Sequence, residues 1–156
     1  MSAEAMPMPK PRLTSEQRKL RFVNNAMSVL SALGMLDSGY LTIMHYRGLA
    51  KNACHGLGGC ERVLTSWWAH PFFNIPTSLY GFVFYAAVFL MLGWNAPPKR
   101  LLALSAPAFC IHLFFVYVQA FILHAFCPFC LVSFALTTVL FLLSIAYVTA
   151  SASRDK

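Results

Sequence analysis

Two thiols sit three positions apart in Cys127-Pro128-Phe129-Cys130, a spacing suited to redox chemistry. If Cys127 caps a helix, Pro128 falls at the first helical position, where its missing N–H costs nothing. Residues i and i+3 then share one face, close enough to bridge. The free N–H groups and positive dipole end of such a helix favour a thiolate, the form that attacks disulfides. Two other readings of the motif stand beside this one: a pair of buried thiols, or half of a zinc site.

A second pair, Cys54 and Cys60, closes the short loop CHGLGGC at 54–60. Gly56, Gly58 and Gly59 permit the tight backbone that a bridge across this loop needs. Two such pairs at one membrane surface form a relay. The outer pair takes electrons from a soluble protein and passes them to the inner pair. Because the inner pair opens into the bilayer, its acceptor has to be lipid-soluble, and a quinone fits. His55, His70 and His124 fall near the same face, but C-x5-C and C-x2-C on different elements fit zinc poorly, and no metal site is expected. The fifth cysteine, Cys110, has no partner at its own level and reads as a small core residue.

The elements that position these pairs are membrane helices. Of the 156 residues, 58% are hydrophobic and only 11% charged, against about a quarter charged in soluble domains. The net charge of +7 is not a nucleic-acid signature, because nine of the twelve cations flank apolar stretches. They are Lys10, Arg12, Arg18, Lys19 and Arg21, then Lys99 and Arg100, then Arg154 and Lys156. That is the positive-inside pattern. The basic N-terminal stretch is too long for the n-region of a signal peptide and no clear cleavage site follows it, so residues 1–21 read as a cytoplasmic tail.

Crossing a bilayer takes ~20 apolar residues. The candidate spans are 24–46, 76–95, 101–123 and 127–150. The last two come from one run, 101–153, that lacks Asp, Glu, Lys and Arg and is over twice as long as a bilayer needs. It must fold back once, and His124 to Pro128 is the suitable break. With cations at both ends and at 99–100, both termini are expected in the cytoplasm, with residues 47–75 and 124–126 outside. The outer face of a bacterial inner membrane permits disulfides. The expected organisation is a tail at 1–21, one membrane domain at 22–150 and a second tail at 151–156.

Several other residues invite attention. Asp37 lies inside the first span, where an acid is expensive; it is either functional or paired near the boundary, for instance with Arg47. His112 is either a proton relay or a hydrogen-bonded packing residue. Trp67, Trp68, Phe72 and Phe73 mark an interfacial segment over the site.

Four features together, LDSGYLT in the first span, C-x5-C followed by ERVLTS, FNIPTSLYGF, and the late CPFC, resemble the bacterial homologues of vitamin K epoxide reductase. The resemblance covers about 24–150 in the same order. It implies an all-α integral membrane protein, a four-transmembrane-helix bundle with an outer loop and half-helix capping a quinone site. It implies that a thioredoxin-like, DsbA-like partner reduces Cys54, that Cys60 passes electrons to Cys127, and that Cys130 faces the quinone, whether ubiquinone or menaquinone. The partner is expected to be a separate periplasmic protein. The family's loop Ser/Thr falls on Ser66. The animal enzymes' quinone-binding Asn falls on Thr77, and the family's Tyr after the last cysteine falls on Phe134. These two departures put epoxide reduction in doubt and leave quinone reduction. With Asp37, these residues form the expected quinone-contacting set.

Two other functions are carried forward. A DsbB-like enzyme has the same chemistry, but with the C-x-x-C in the first outer loop, the reverse of the order here. The other is a non-catalytic or metal-binding membrane subunit, which would show no thiol turnover when given quinone. A membrane-impermeant thiol reagent on intact, reduced cells is expected to label Cys54 or Cys60; labelling only after lysis would place that loop on the wrong side.

Overall fold

The computed structural model describes residues 14–49, 59–69 and 75–153. Cys54, His55, His70, Phe72, Phe73 and both extreme tails lie outside the described residues. Helix α1 spans Ser15–Tyr46. It begins well inside the expected tail, because Thr14 and Gln17 form a capping box. The Thr14 hydroxyl accepts the Gln17 N–H at 3.4 Å, and the Gln17 side chain accepts the Thr14 N–H at 3.1 Å. These bonds satisfy two end groups and let the helix start among charged residues. A short helix α2, Cys60–Leu64, and a 3-10 turn, Trp67–Ala69, follow. Then come α3 (Thr77–Gly93), α4 (Pro98–Tyr117) and α5 (Pro128–Ala152).

The uncharged run folds back as its length requires. Helix α4 ends in a π-helical turn, Val118–Ile122. The Leu123 N–H then donates to Val118 O at 2.9 Å and the Ala125 N–H to Gln119 O at 3.1 Å. His124 takes a positive φ of 46° to reverse the chain. Pro128 opens α5 with Cys127 as its N-cap.

Among the described residues, three segments are long and apolar enough to cross a membrane: Gln17–Tyr46, Pro98–Ile122 and Pro128–Ala152. The chain is therefore a multi-pass membrane protein. Helix α3 is apolar but has 17 residues, a rise of about 26 Å against the ~30 Å hydrocarbon core. Large apolar side chains such as Phe22, Leu36, Phe121 and Leu142 are exposed on the outside of the bundle, an arrangement suited to lipid rather than water.

Helix α1 packs on α3 and α5, and α5 packs on α4, while α3 and α4 meet only along a thin seam. Small residues allow the closest approach, as at many membrane helix crossings. A Cβ on Gly34 would overlap the ring of Tyr85 on α3, and one on Gly81 would lie 3.1 Å from the Ser38 hydroxyl. Two apolar clusters result. One surrounds Cys60 and Cys127 with Leu41, Val63, Leu64 and Ala125. The other, toward the opposite end, holds Met27, Tyr85, Val88, Leu92, Leu101 and Leu140.

Tyr85 is fully buried, and its hydroxyl is fully used. It donates to Ser133 O at 2.9 Å and lies 3.1 Å from Ser133 Oγ and 2.8 Å from Thr137 Oγ1. This knot joins α3 to α5 across the bundle. Tyr85→Phe is expected to cost about 1–2 kcal/mol, because it strips partners from groups that water does not reach. Reversible unfolding in mixed detergent micelles measures this; a loss of only a few tenths would show that the knot does not hold the helices.

Candidate active site

Three cysteines converge where α2, the 123–127 turn and the start of α5 meet. Cys60 and Cys127 are both buried, and their sulfurs lie 3.4 Å apart. Cys60 is in a disulfide, whose other sulfur lies outside the described residues. Cys127 and Cys130 are free thiols. A free thiol in contact with a disulfide sulfur is the starting arrangement for thiol–disulfide exchange.

The local sequence brings them together. Gly59 has φ +111°, and a Cβ there would overlap the Phe126 carbonyl oxygen. A glycine is therefore what lets the loop press onto the 125–127 turn. The Arg62 guanidinium donates to Leu123 O at 3.5 Å, tying α2 to the end of the π-helical turn. Gln119, 3% exposed, accepts the Cys127 N–H through its amide oxygen at 2.9 Å. Cys127 is thus held through its backbone while its sulfur faces Cys60.

Cys127 caps the α5 span from outside, and its thiol is brought down to about 7. The Cys130 S–H is the largest cause; the N–H groups of Cys130 and Phe129 add to it, while burial opposes them. These are the donors of a helix start acting on a thiolate.

Cys130, one turn along, opens onto a cavity of ≈ 190 Å³ in the α3–α4 seam. Leu41, Leu64, Trp68, Phe84 and Phe115 supply apolar wall, and Ser66, Thr77, Ser78, His112 and Gln119 supply polar groups. Trp68 packs edge-on against Phe114, so the 3-10 turn lies against α4.

Among the residues expected from sequence to contact a quinone, Ser66, Thr77 and Cys130 line this cavity. The Ser66 hydroxyl donates to Val63 O at 2.7 Å and Thr77 donates to Ala69 O at 3.0 Å, so both also hold the outer segment in place. Phe134 is not among the lining residues; it stacks on Phe109, which stacks on Phe141. Asp37 is not a lining residue either. Its carboxyl hydrogen-bonds Ser133, and its Oδ2 is buried without a partner, so it joins the Tyr85 knot rather than pairing with Arg47. His112 is hydrogen-bonded, its Nδ1–H donating to Ala108 O at 2.9 Å, and its ring lines the cavity. Cys110 is exposed on the outer face of α4, which corrects its expected place in the core. The cavity-facing positions 108, 111, 112, 115 and 116 lie on other sides of the helix.

Sequence reasoning missed Gln119, Ser78 and the Tyr85–Ser133–Thr137 knot. A signal for Gln119 was present: it is the only amide side chain in the uncharged run 101–153, and a polar group at membrane depth needs a partner.

With Cys110 removed, thiolate absorbance of the wild type minus Cys127→Ser is expected to titrate near pH 7. Cys130→Ala should move that midpoint upward, because the main donor to the thiolate is lost. A Cys127 midpoint at the ordinary value of about 8.5 would contradict the polarised thiol.

The geometry joins a buried sulfur contact, a helix-start C-x-x-C and a membrane-level cavity. A sequence model described as the vitamin K epoxide reductase family matches residues 25–145. This match takes in the loop cysteines, the α3 start and the C-x-x-C, and it covers most of the chain. The chain belongs to the vitamin K epoxide reductase family, and is a membrane oxidoreductase of that family.

Proposed function

We propose that this protein reoxidises a thioredoxin-like, DsbA-like partner and passes the electrons through two cysteine pairs to a quinone. The observation that carries this reading is the 3.4 Å contact between Cys60 and Cys127, with Cys130 on the wall of the adjoining cavity. The contact supports the step from Cys60 to Cys127, and the place of Cys54 before it is taken from the family resemblance. A partner dithiol attacks a Cys54–Cys60 bridge; the partner is oxidised to its disulfide, and Cys54 and Cys60 become thiols. The Cys60 thiolate attacks Cys127 of an oxidised Cys127–Cys130 bridge, breaking the S–S bond and releasing Cys130 as the thiolate. Cys54 then displaces Cys127 from Cys60, restoring the loop bridge and leaving the inner pair reduced. A disulfide at Cys60 with Cys127 and Cys130 as free thiols is compatible with the last of these steps.

A lipid-soluble two-electron acceptor suits the cavity, whose aromatic and aliphatic wall carries few polar groups. A quinone bound there supplies the acceptor for two electrons and two protons. Cys130 would face it, and Trp68, Phe84 and Phe115 would keep water away. His112, with Nδ1–H fixed on Ala108 O, holds Nε2 as a place where a proton can be taken up or given. In this reading α3 is a fourth, short span, both termini are cytoplasmic, the loop faces the periplasm of a bacterial inner membrane, and the quinone is ubiquinone or menaquinone.

The internal step has a direct test. In Cys130→Ser, reaction with reduced partner is expected to accumulate a Cys60–Cys127 disulfide, identified by mass mapping. A Cys54–Cys127 disulfide instead would reverse the roles of the loop cysteines. Anaerobic mixing of the wild type with reduced partner and quinone should yield quinol, and none would form if the chain were only a structural subunit.

A further inference from the structure

We propose that Gln119 donates a hydrogen bond to a quinone carbonyl beside Cys130, and that the same amide ties that bond to the position of Cys127. The proposal rests on the quinone reading above and names a residue that holds the ring.

The orientation of the amide is fixed by chemistry. A backbone N–H can only donate, so the atom of Gln119 that meets the Cys127 N–H at 2.9 Å is the amide oxygen. The two N–H donors therefore lie on the other branch. Gln119 is 3% exposed, and no described protein group accepts from its nitrogen. That nitrogen is not sealed in either: the one enclosed, unpartnered side-chain atom among the described residues is Asp37 Oδ2. Gln119 lines the cavity together with Cys130, and the cavity is where its N–H groups find room.

Unmet donors in an apolar wall favour an acceptor ligand. Three other polar groups on that wall have their protons committed to the backbone. Ser66 donates to Val63 O, Thr77 to Ala69 O and His112 Nδ1 to Ala108 O. Thr42 donates to Ser38 O at 2.7 Å and lies within donating distance of Ser78 Oγ at 3.0 Å. A quinone ring presents two carbonyl acceptors and no donor, which complements the Gln119 N–H groups. The thiolate-forming end of α5 and the ring would then be registered by one planar amide group.

Two variants test this by equilibrium binding of a short-chain ubiquinone, with the ring carbonyl stretch read by infrared difference spectroscopy on isotopically labelled ligand. Gln119→Leu removes both bonds and is expected to weaken binding about tenfold and to raise the stretching frequency of one carbonyl. Gln119→Glu keeps an oxygen for the Cys127 N–H. Its carboxylic acid can donate but its carboxylate cannot, so affinity is expected to fall as pH rises, unlike that of the wild type. Wild-type affinity and carbonyl frequency in both variants would overturn the proposal. A wild type that exchanges thiols with its partner yet binds no quinone would remove the quinone reading itself, a distinct result.

Discussion

Thiol–disulfide exchange requires two sulfurs in contact, and here they belong to residues 67 positions apart. The cysteine end of the bundle is built around that requirement. Gly59 lets the loop backbone touch the turn, Arg62 fastens α2 to Leu123 O, and Gln119 holds the Cys127 N–H. Sulfur is only weakly polar, so burying Cys60 and Cys127 among Leu41, Val63 and Leu64 incurs little desolvation. The polar atoms of the turn are a different matter. They lose water when the loop covers them, and the π-helical turn is what brings Gln119 round to meet them.

The rest of the bundle supplies a stiff frame with one weak side. Helices α1 and α3 are drawn together at Gly34 and Gly81, and the Tyr85 hydroxyl joins α3 to α5. Nothing comparable joins α3 to α4. The cavity lies in that seam, between two well-packed sides, so space for a ligand is left without a cost to the packing elsewhere. Cys130 is placed at its edge because α5 begins at Pro128, and the i+3 position falls one turn inward.

Much of this was legible in the sequence. The uncharged length from 101 to 153 forces a reversal, and the proline after Cys127 identifies where the new helix begins. The spacing of the two pairs, with the α3 motif between them, was enough for the family. What could not be read depends on helix phase. Cys110 and His112 are two positions apart and face lipid and cavity respectively, a distinction that an almost wholly apolar helix does not encode. Phe134 lies beyond Cys130 on α5, yet turns to the Phe109 stack. Gln119 owes its direction to a turn of wider pitch that the residues Val118–Ile122 do not announce. The early start of α1 was written in Thr14 and Gln17 but masked by the prolines and charges before it.

The two crowded glycines differ in how a lineage could escape them. Gly34 is confined by the ring of Tyr85, a side chain that can itself be exchanged. A larger residue at 34 can be accommodated if 85 shrinks and the hydroxyl partners on α5 change with it, so these positions are free to drift as a linked set. Gly59 is confined by the Phe126 carbonyl oxygen, which every amino acid carries. No substitution at 126 makes room, and the positive φ at 59 adds its own penalty. One glycine is negotiable and the other is not, because one touches a side chain and the other touches the backbone.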